Sequence, residues 1–187
     1  MKTLLQIMLK YSKGKTVAVL FSLTMLVYLT MILYTIPILS AFAPMLPIFD
    51  LSPSGYTFEY ANELLHALGS DGRSMYLNTQ LPLDFIYPGL FSISYSLMLV
   101  WLFRKSFKDD SKIHYLFLVP LMAGFFDYLE NIFIIKMINS FPNLQESTVN
   151  IASTFTVLKS VSTVVFFVLL IIGFFFFLKK RFVSIPK

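Results

Sequence analysis

Ionisable side chains stand at helical spacing inside long apolar stretches of this sequence. Asp127, Glu130 and Asn131 fall on one stripe of a helix with a 3.6-residue repeat, together with the small residues Ala123 and Gly124. Small residues let two helices approach closely, so this stripe should face neighbouring helices. A charged side chain at the centre of a bilayer costs at least about 2.5–3.5 kcal/mol. Such groups are therefore expected to pair with one another or to carry out a function.

Two other apolar stretches bring ionisable groups to a similar depth. Asp84 and Tyr87 share a face of the preceding stretch, and Lys159 lies on the polar face of the following one. Asp127 lies 13 residues beyond His114, about 20 Å along a helix with a rise of 1.5 Å per residue. We therefore predict that these side chains converge in one half of a helical bundle.

The predicted cluster has the composition of an acid–base site. Its three acids and one lysine leave a formal charge of −2, which a retained proton, a metal ion or a cationic ligand would offset. Closely spaced carboxyls share a proton, so that one acts as an acid and another as a base. The candidate catalytic residues are Asp127, Glu130 and Lys159. The candidate ligand-binding residues are Asp84, Tyr87 and Asn131, with Arg73 and Tyr76 from the segment before them.

The sequence holds no metal or nucleotide motif. It has no cysteine, and its two histidines, His66 and His114, lie far from the acids along the predicted helices, so no metal site is predicted. A Gly-rich phosphate loop, a nucleophile elbow and a His-Glu-x-x-His pattern are all missing from the sequence. The sequence does not indicate a cofactor.

The elements that hold these residues are predicted to be membrane-spanning helices. Hydrophobic residues make up 57% of the 187 residues and charged residues 13%, against about 25% charged residues in soluble domains. Each of four apolar runs is close to the ~20 residues that cross a bilayer as a helix. The runs cover about residues 16–39, 83–103, 114–138 and 151–178. We predict an all-α integral membrane protein, a four-transmembrane-helix bundle forming a single domain over residues 1–187.

Positive charges give the predicted orientation. Of the 15 Lys and Arg residues, 12 lie before the first run, between the second and third, or after the fourth. Positive residues stay on the cytoplasmic side, so both termini should be cytoplasmic and the cluster should lie in the outer half of the bundle. The net charge of +5 is therefore explained by the membrane topology of the chain. For this reason nucleic acid is not a predicted partner. The Lys- and Phe-rich, cysteine-free composition fits a bacterial inner membrane.

The one long connection is the predicted outer loop, residues 40–81. Its proline-rich start disfavours helix, whereas residues 57–68 are predicted to form a short amphipathic helix. Gly69 fits a C-terminal cap, and residues 69–72 are predicted to turn. The loop helix and Arg73 are expected to form a lid over the cluster.

Three functions are compatible with these features. The first is an enzyme or binding protein for a lipophilic small molecule, with acid–base chemistry at the cluster. The second is a non-catalytic subunit or assembly factor, in which the cluster fixes the fold or recognises a membrane-protein partner or a second copy of the chain. The third is a small proton- or cation-coupled transporter, although the sequence shows no internal repeat of the kind many carriers have. The predicted partners are the lipid bilayer and a lipophilic ligand.

Overall fold

A computed structural model of the chain describes residues 2–183 and is almost entirely helical. Helix accounts for 84% of the structure, and the described residues include no strand. The described residues form the α-helices α1 Lys2–Tyr11, α2 Gly14–Thr30, α3 Ile36–Ser40, α4 Phe58–Ala67, α5 Gly69–Met75, α6 Leu81–Arg104, α7 Leu118–Ser140 and α8 Glu146–Val183. Two π-helical turns, Met31–Thr35 and Tyr76–Gln80, and two 3₁₀ turns, Phe49–Leu51 and Lys112–Phe117, complete the order.

Several of these elements join end to end into long helices. Within residues 2–183, four of them are long and apolar enough to cross a membrane: Gly14–Ser40, Gly69–Arg104, Lys112–Ser140 and Glu146–Arg181. This confirms the four predicted helical runs and the all-helical class. The second and fourth begin well before the predicted starts, by 14 and five residues, because polar residues at their ends continue the helix beyond the apolar run.

The turn predicted at residues 69–72 is wrong, since α5 begins there. Gly69 has a φ of +61°, a left-handed conformation that glycine adopts without strain, so the chain reverses at this one residue after α4. Pro82 comes just after the π-helical turn Tyr76–Gln80, and the long helix Gly69–Arg104 continues through it. The connection between the first two long helices is therefore residues 41–68.

The short helix predicted in that connection is confirmed as α4. Thr57 precedes it in an extended conformation, and its hydroxyl accepts a hydrogen bond from the Tyr60 backbone N–H at 3.2 Å. This is the capping contact expected of a threonine at a helix start. Leu64 and Leu65 are fully buried in the apolar core that α4 shares with the ends of the long helices.

The helix pair α6 and α7 is packed closely enough to fix the depth of its polar residues. A Cβ on Gly124 would lie 2.7 Å from the backbone oxygen of Pro88, so only glycine fits there. The Ser96 hydroxyl donates to the Phe117 carbonyl at 2.8 Å, and the Ser92 hydroxyl makes a similar bond to α7. These contacts set the register of the two helices that carry most of the predicted site.

The outward faces of the first and fourth long helices are apolar. Leu33 and Tyr34 on the first are 73% and 63% exposed, and Ile171 and Phe175 on the fourth are 70% and 61% exposed. Monomeric soluble proteins rarely expose contiguous apolar surface on this scale. The faces are of the kind that requires an apolar medium or another apolar surface.

Candidate functional site

An ion cluster joins α7 to α8. The Lys159 ammonium donates to Asp127 Oδ1 at 2.9 Å and lies 2.5 Å from Glu130 Oε2, while the Thr156 hydroxyl donates to Glu130 Oε1 at 2.6 Å. Asp127 and Glu130 are three residues apart, so they lie on the same face of α7 and reach the same lysine. The three residues predicted as catalytic are thus brought together.

The three differ in their access to a ligand. Glu130 is fully buried behind Lys159 and does not line a cavity, whereas Asp127 and Lys159 both do. The Lys159 side chain keeps 20% of its surface exposed. Direct contact with a ligand therefore falls to Asp127 and Lys159, and Glu130 with Thr156 holds the ammonium in place.

Asn131 was predicted as a ligand-binding residue, but it is fully buried, does not line the cavity described below and has a structural role. Its side-chain amide donates to the backbone carbonyl of Asp84 at 2.7 Å. In a regular helix that carbonyl would accept from the residue four positions later, which here is Pro88 and has no N–H. Asn131 therefore supplies across the α6–α7 interface the hydrogen bond that the proline removes.

We expect Asn131→Leu to lower the free energy of unfolding by about 1–3 kcal/mol, because the Asp84 carbonyl is left buried without a donor. In a Pro88→Ala background the restored N–H of residue 88 satisfies that carbonyl, so the same replacement should cost much less. The four proteins of this cycle are compared by denaturant unfolding in mixed micelles. Equal costs in both backgrounds would show that Asn131 acts elsewhere.

Asp50 is a member of the site that the sequence analysis missed. It comes from the 3₁₀ turn Phe49–Leu51 and accepts a hydrogen bond from the hydroxyl of Tyr76. Tyr76 was predicted as a ligand-binding residue, and the structure places it behind Asp50 as a positioning group. The available signal was an acid flanked closely by apolar residues, Ile48-Phe49-Asp50-Leu51, in a segment without helical periodicity.

Asp50 lines a cavity of about 270 Å³, which has both apolar and ionisable lining residues and is called the polar cavity for the latter. Three carboxyl groups line it, those of Asp50, Asp84 and Asp127, together with Lys159 and Tyr87. Glu130 lies behind Lys159, so two of the four carboxyl groups, those of Asp127 and Glu130, contact the ammonium group. The cavity thus gathers acidic groups, of which Asp84 and Asp127 are buried.

Both π-helical turns lie beside this cavity. Met31 from the first turn lines the cavity, and Tyr76 from the second holds Asp50. The two turns are tied together by Thr35, whose hydroxyl donates to Gln80 Oε1 at 2.5 Å. A π-turn departs from regular helical spacing and is frequent at functional sites. Here the turns mark where the first two long helices adapt to the cavity.

A larger apolar groove of about 880 Å³ runs beside the first, second and fourth long helices. It extends from Tyr87, next to the polar cavity, to Trp101, which is 14 residues or about 21 Å further along α6. Four residues line both spaces, Tyr28, Tyr87, Phe91 and Thr163. The groove and the polar cavity therefore adjoin each other.

Arg73 does not reach the site, so the structure does not support the predicted lid. Its guanidinium group lies over the ring of Phe141 at 4.5 Å and donates to the Leu65 carbonyl at 2.7 Å. The reason is that α5 belongs to the second long helix and points Arg73 towards α4 and the end of α7. From the connection, Asp50 and Leu51 line the cavity instead.

Tyr56 is a second residue of the connection that approaches the ion cluster. Its backbone N–H donates to the Ser153 hydroxyl of α8 at 2.8 Å. Burial raises the pKa of the Tyr56 phenol, and the nearby Glu130 carboxylate raises it further. The phenol therefore stays protonated near neutral pH and presents an O–H group on the Glu130 side of the cluster.

Comparisons with known proteins give no match from which a function could be transferred. No protein-family model matches the chain, and no curated protein or solved structure matches it. Within residues 2–183, no group of three or more His, Cys, Asp or Glu side chains has an arrangement that could hold a metal ion. The geometry of the cavity and groove is therefore the basis for a functional proposal.

Proposed function

We propose that this chain is a multi-pass membrane protein that binds a lipophilic small molecule and acts on it by acid–base chemistry. The observation that carries the proposal is the junction of an apolar groove with a cavity lined by carboxyls and a lysine. Small-molecule sites are typically concave and apolar, with a few convergent polar groups, and have volumes of roughly 300–1,000 Å³. An amphiphile matches both parts, with its chain in the groove and its polar end in the cavity.

A bilayer would supply the apolar medium for the exposed apolar faces. Four described helices are long and apolar enough to span it. The distribution of Lys and Arg favours cytoplasmic termini, which puts the Trp101 end of the groove on the cytoplasmic side and the polar cavity in the outer half. We place the protein in a bacterial inner membrane on the basis of its composition. A ligand would reach the groove sideways, between the first and fourth long helices.

Proton transfer is the chemistry that the polar cavity supports. Lys159 is held between two carboxyls and faces the cavity, where it could donate a proton or steady a developing negative charge. Asp127 and Asp84 face the same space and could accept a proton. Groups of both kinds within one shielded site are the requirement for general acid–base catalysis.

The proposal is tested by the compounds that co-purify with the protein. We expect the organic extract of the purified wild type to contain a lipophilic compound in a roughly one-to-one amount, identified by its mass. The variant Asp127→Asn should be folded but depleted of that compound, because Asp127 lines the cavity and orients Lys159. The matched control is Asp110→Asn, which changes an exposed aspartate away from the cavity.

Far-UV circular dichroism and gel filtration establish that the variants are folded. Equal amounts of the compound in the wild type and in Asp127→Asn would contradict the assignment of the site. A wild type that carries neither a stoichiometric compound nor a native mass adduct would favour the non-catalytic, structural alternative.

A further inference from the structure

Two carboxyl oxygens at the polar cavity have no hydrogen-bond partner among the described residues. They are Oδ1 of Asp50 and Oδ2 of Asp84, and both residues line the cavity. Asp84 is only 3% exposed, so bulk water does not replace the missing partner. A buried acceptor left unpaired costs free energy, and more so if it carries a charge. The site is therefore built to receive hydrogen-bond donors at these two positions.

Among the described residues, Lys159 makes its direct contacts with two other acids. Its ammonium is engaged by Asp127 at 2.9 Å and by Glu130 at 2.5 Å. The only described donor to Asp50 is the neutral hydroxyl of Tyr76. Within residues 2–183, the two acids with unpaired oxygens thus form no ion pair with a cationic side chain.

We propose that the polar end of the ligand is a protonated amine held between Asp50 and Asp84, so that the protein selects amine-bearing amphiphiles; this rests on the proposed function above. Carboxylates only accept hydrogen bonds, and an ammonium group offers three donors together with a compensating charge. A neutral hydroxyl offers one donor and no charge. A carboxylate or phosphate would add negative charge to a site that already has an excess.

Aromatic rings at the junction of groove and cavity fit the same ligand. Tyr28 and Tyr87 line both spaces, and their ring centroids lie 5.9 Å apart. Aromatic faces attract a nearby cation, by an amount that grows when the cation is shielded from water. An ammonium group passing from the groove to the carboxyls would remain beside favourable surfaces.

The position of the polar cavity relative to the groove also fits an amphiphile of the outer leaflet. In the proposed orientation the polar cavity lies towards the outside, and the groove leads from it towards the cytoplasmic side. A lipid of the outer leaflet has its polar end outward and its chain towards the centre of the bilayer. Such a molecule would enter the groove sideways without turning over.

The test compares three probes of equal chain length. The full chain in nanodiscs of zwitterionic lipid is titrated at pH 7 with dodecylamine, dodecanol and dodecanoate, and the heat measured with empty nanodiscs is subtracted. We expect dodecylamine to bind about tenfold or more tightly than dodecanol, and dodecanoate to bind most weakly. Asp84→Asn should bring the ratio of amine to alcohol affinity towards one, whereas Asp71→Asn, an exposed acid on α5, should keep the wild-type ratio.

Asp50→Asn provides a second variant outside the long helices, so a folding defect in Asp84→Asn would not decide the result. A wild type that binds amine and alcohol equally, or that prefers dodecanoate, overturns the amine assignment and leaves the proposed function standing. Absence of binding by all three probes above empty nanodiscs overturns both. A ratio that is unchanged in Asp50→Asn and Asp84→Asn shows that these two acids do not hold the amine.

Discussion

Replacing Lys159 with methionine is expected to lower the free energy of unfolding by about 3 kcal/mol. The substitution keeps most of the apolar stem but removes the ammonium that contacts Asp127 and Glu130. Breaking a buried ion pair at one partner typically costs about 3–5 kcal/mol, because the other charge stays buried and uncompensated. We use the lower end of this range of free energies because a fifth of the Lys159 side chain is exposed, so its ion pairs are only partly buried. Unfolding by sodium dodecyl sulfate in mixed micelles, followed by circular dichroism, measures the loss.

The matched control is Lys136→Met, which removes an exposed lysine of α7 that lies over the ring of Phe133. It should change stability by no more than a few tenths of a kcal/mol, as is usual for exposed charges. Adding Asp127→Asn and Glu130→Gln to Lys159→Met removes the uncompensated charges, so much of the lost stability should return. A Lys159→Met protein as stable as Lys136→Met would show that the ion cluster does not hold α7 to α8.

Replacing Thr163 with phenylalanine is expected to weaken dodecanol binding close to a hundredfold. Thr163 lines both the groove and the polar cavity, so a larger ring there would obstruct their junction. Excluding about 100 Å² of apolar contact at about 25 cal/mol per Å² removes roughly 2.5 kcal/mol of binding free energy. Stability should change little, because the added ring fills space that is empty without the ligand. Titration in nanodiscs gives the affinity, and micellar unfolding gives the stability.

Val164→Phe makes the matched control, because the next residue of α8 is 63% exposed and lines neither space. It adds an aromatic ring to the same helix turn on the outward face, and dodecanol should bind this protein as it binds the wild type. If the two variants bind dodecanol equally, the groove is not the binding site.

Helical periodicity was sufficient to predict the central part of the site. The spacing of Asp127, Glu130 and Asn131 put them on one face of a long apolar helix, and an apolar helix has few partners for a charge other than another helix. Lys159 was the one lysine at matching depth. The contacts of Lys159 with Asp127 and Glu130 follow from these two constraints, and the structure shows both.

In the connection between the first two long helices, the sequence pattern predicted α4 but not the path of the residues before it. Asp50 lies in a 3₁₀ turn whose path depends on how α4 packs against the bundle, and no local pattern encodes that packing. The predicted position of Arg73 in a lid was wrong for a related reason. The helix that carries Arg73 begins about 14 residues before the apolar run from which the helix was predicted. The role of Asn131 depends on the N–H group that Pro88 of α6 lacks. Only the packing of α6 against α7 shows that Asn131 supplies the missing hydrogen bond.

Stability and binding are expected to depend on different parts of the same cluster. Glu130 and Asn131 face neighbouring helices and tie the bundle together. Asp50 and Asp84 face the cavity with unpaired oxygens, an arrangement that costs stability in the absence of a ligand. Proteins accept such a cost at functional sites, where stability and activity are in conflict. The unpaired pair therefore favours a binding role over a purely structural one.

The most direct test of the central claim is an experimental density map of the wild-type protein in nanodiscs. A bound antibody fragment makes the particle large enough to be imaged. The account predicts one elongated non-protein density that starts near Trp101, follows the groove and ends in the cavity between Lys159, Asp50 and Asp84. In the corresponding map of the Thr163→Phe variant, the part of this density that lies in the cavity should be missing. A wild-type map with the groove closed, or with density that stops short of the cavity, would contradict the claim that the two spaces form one ligand site.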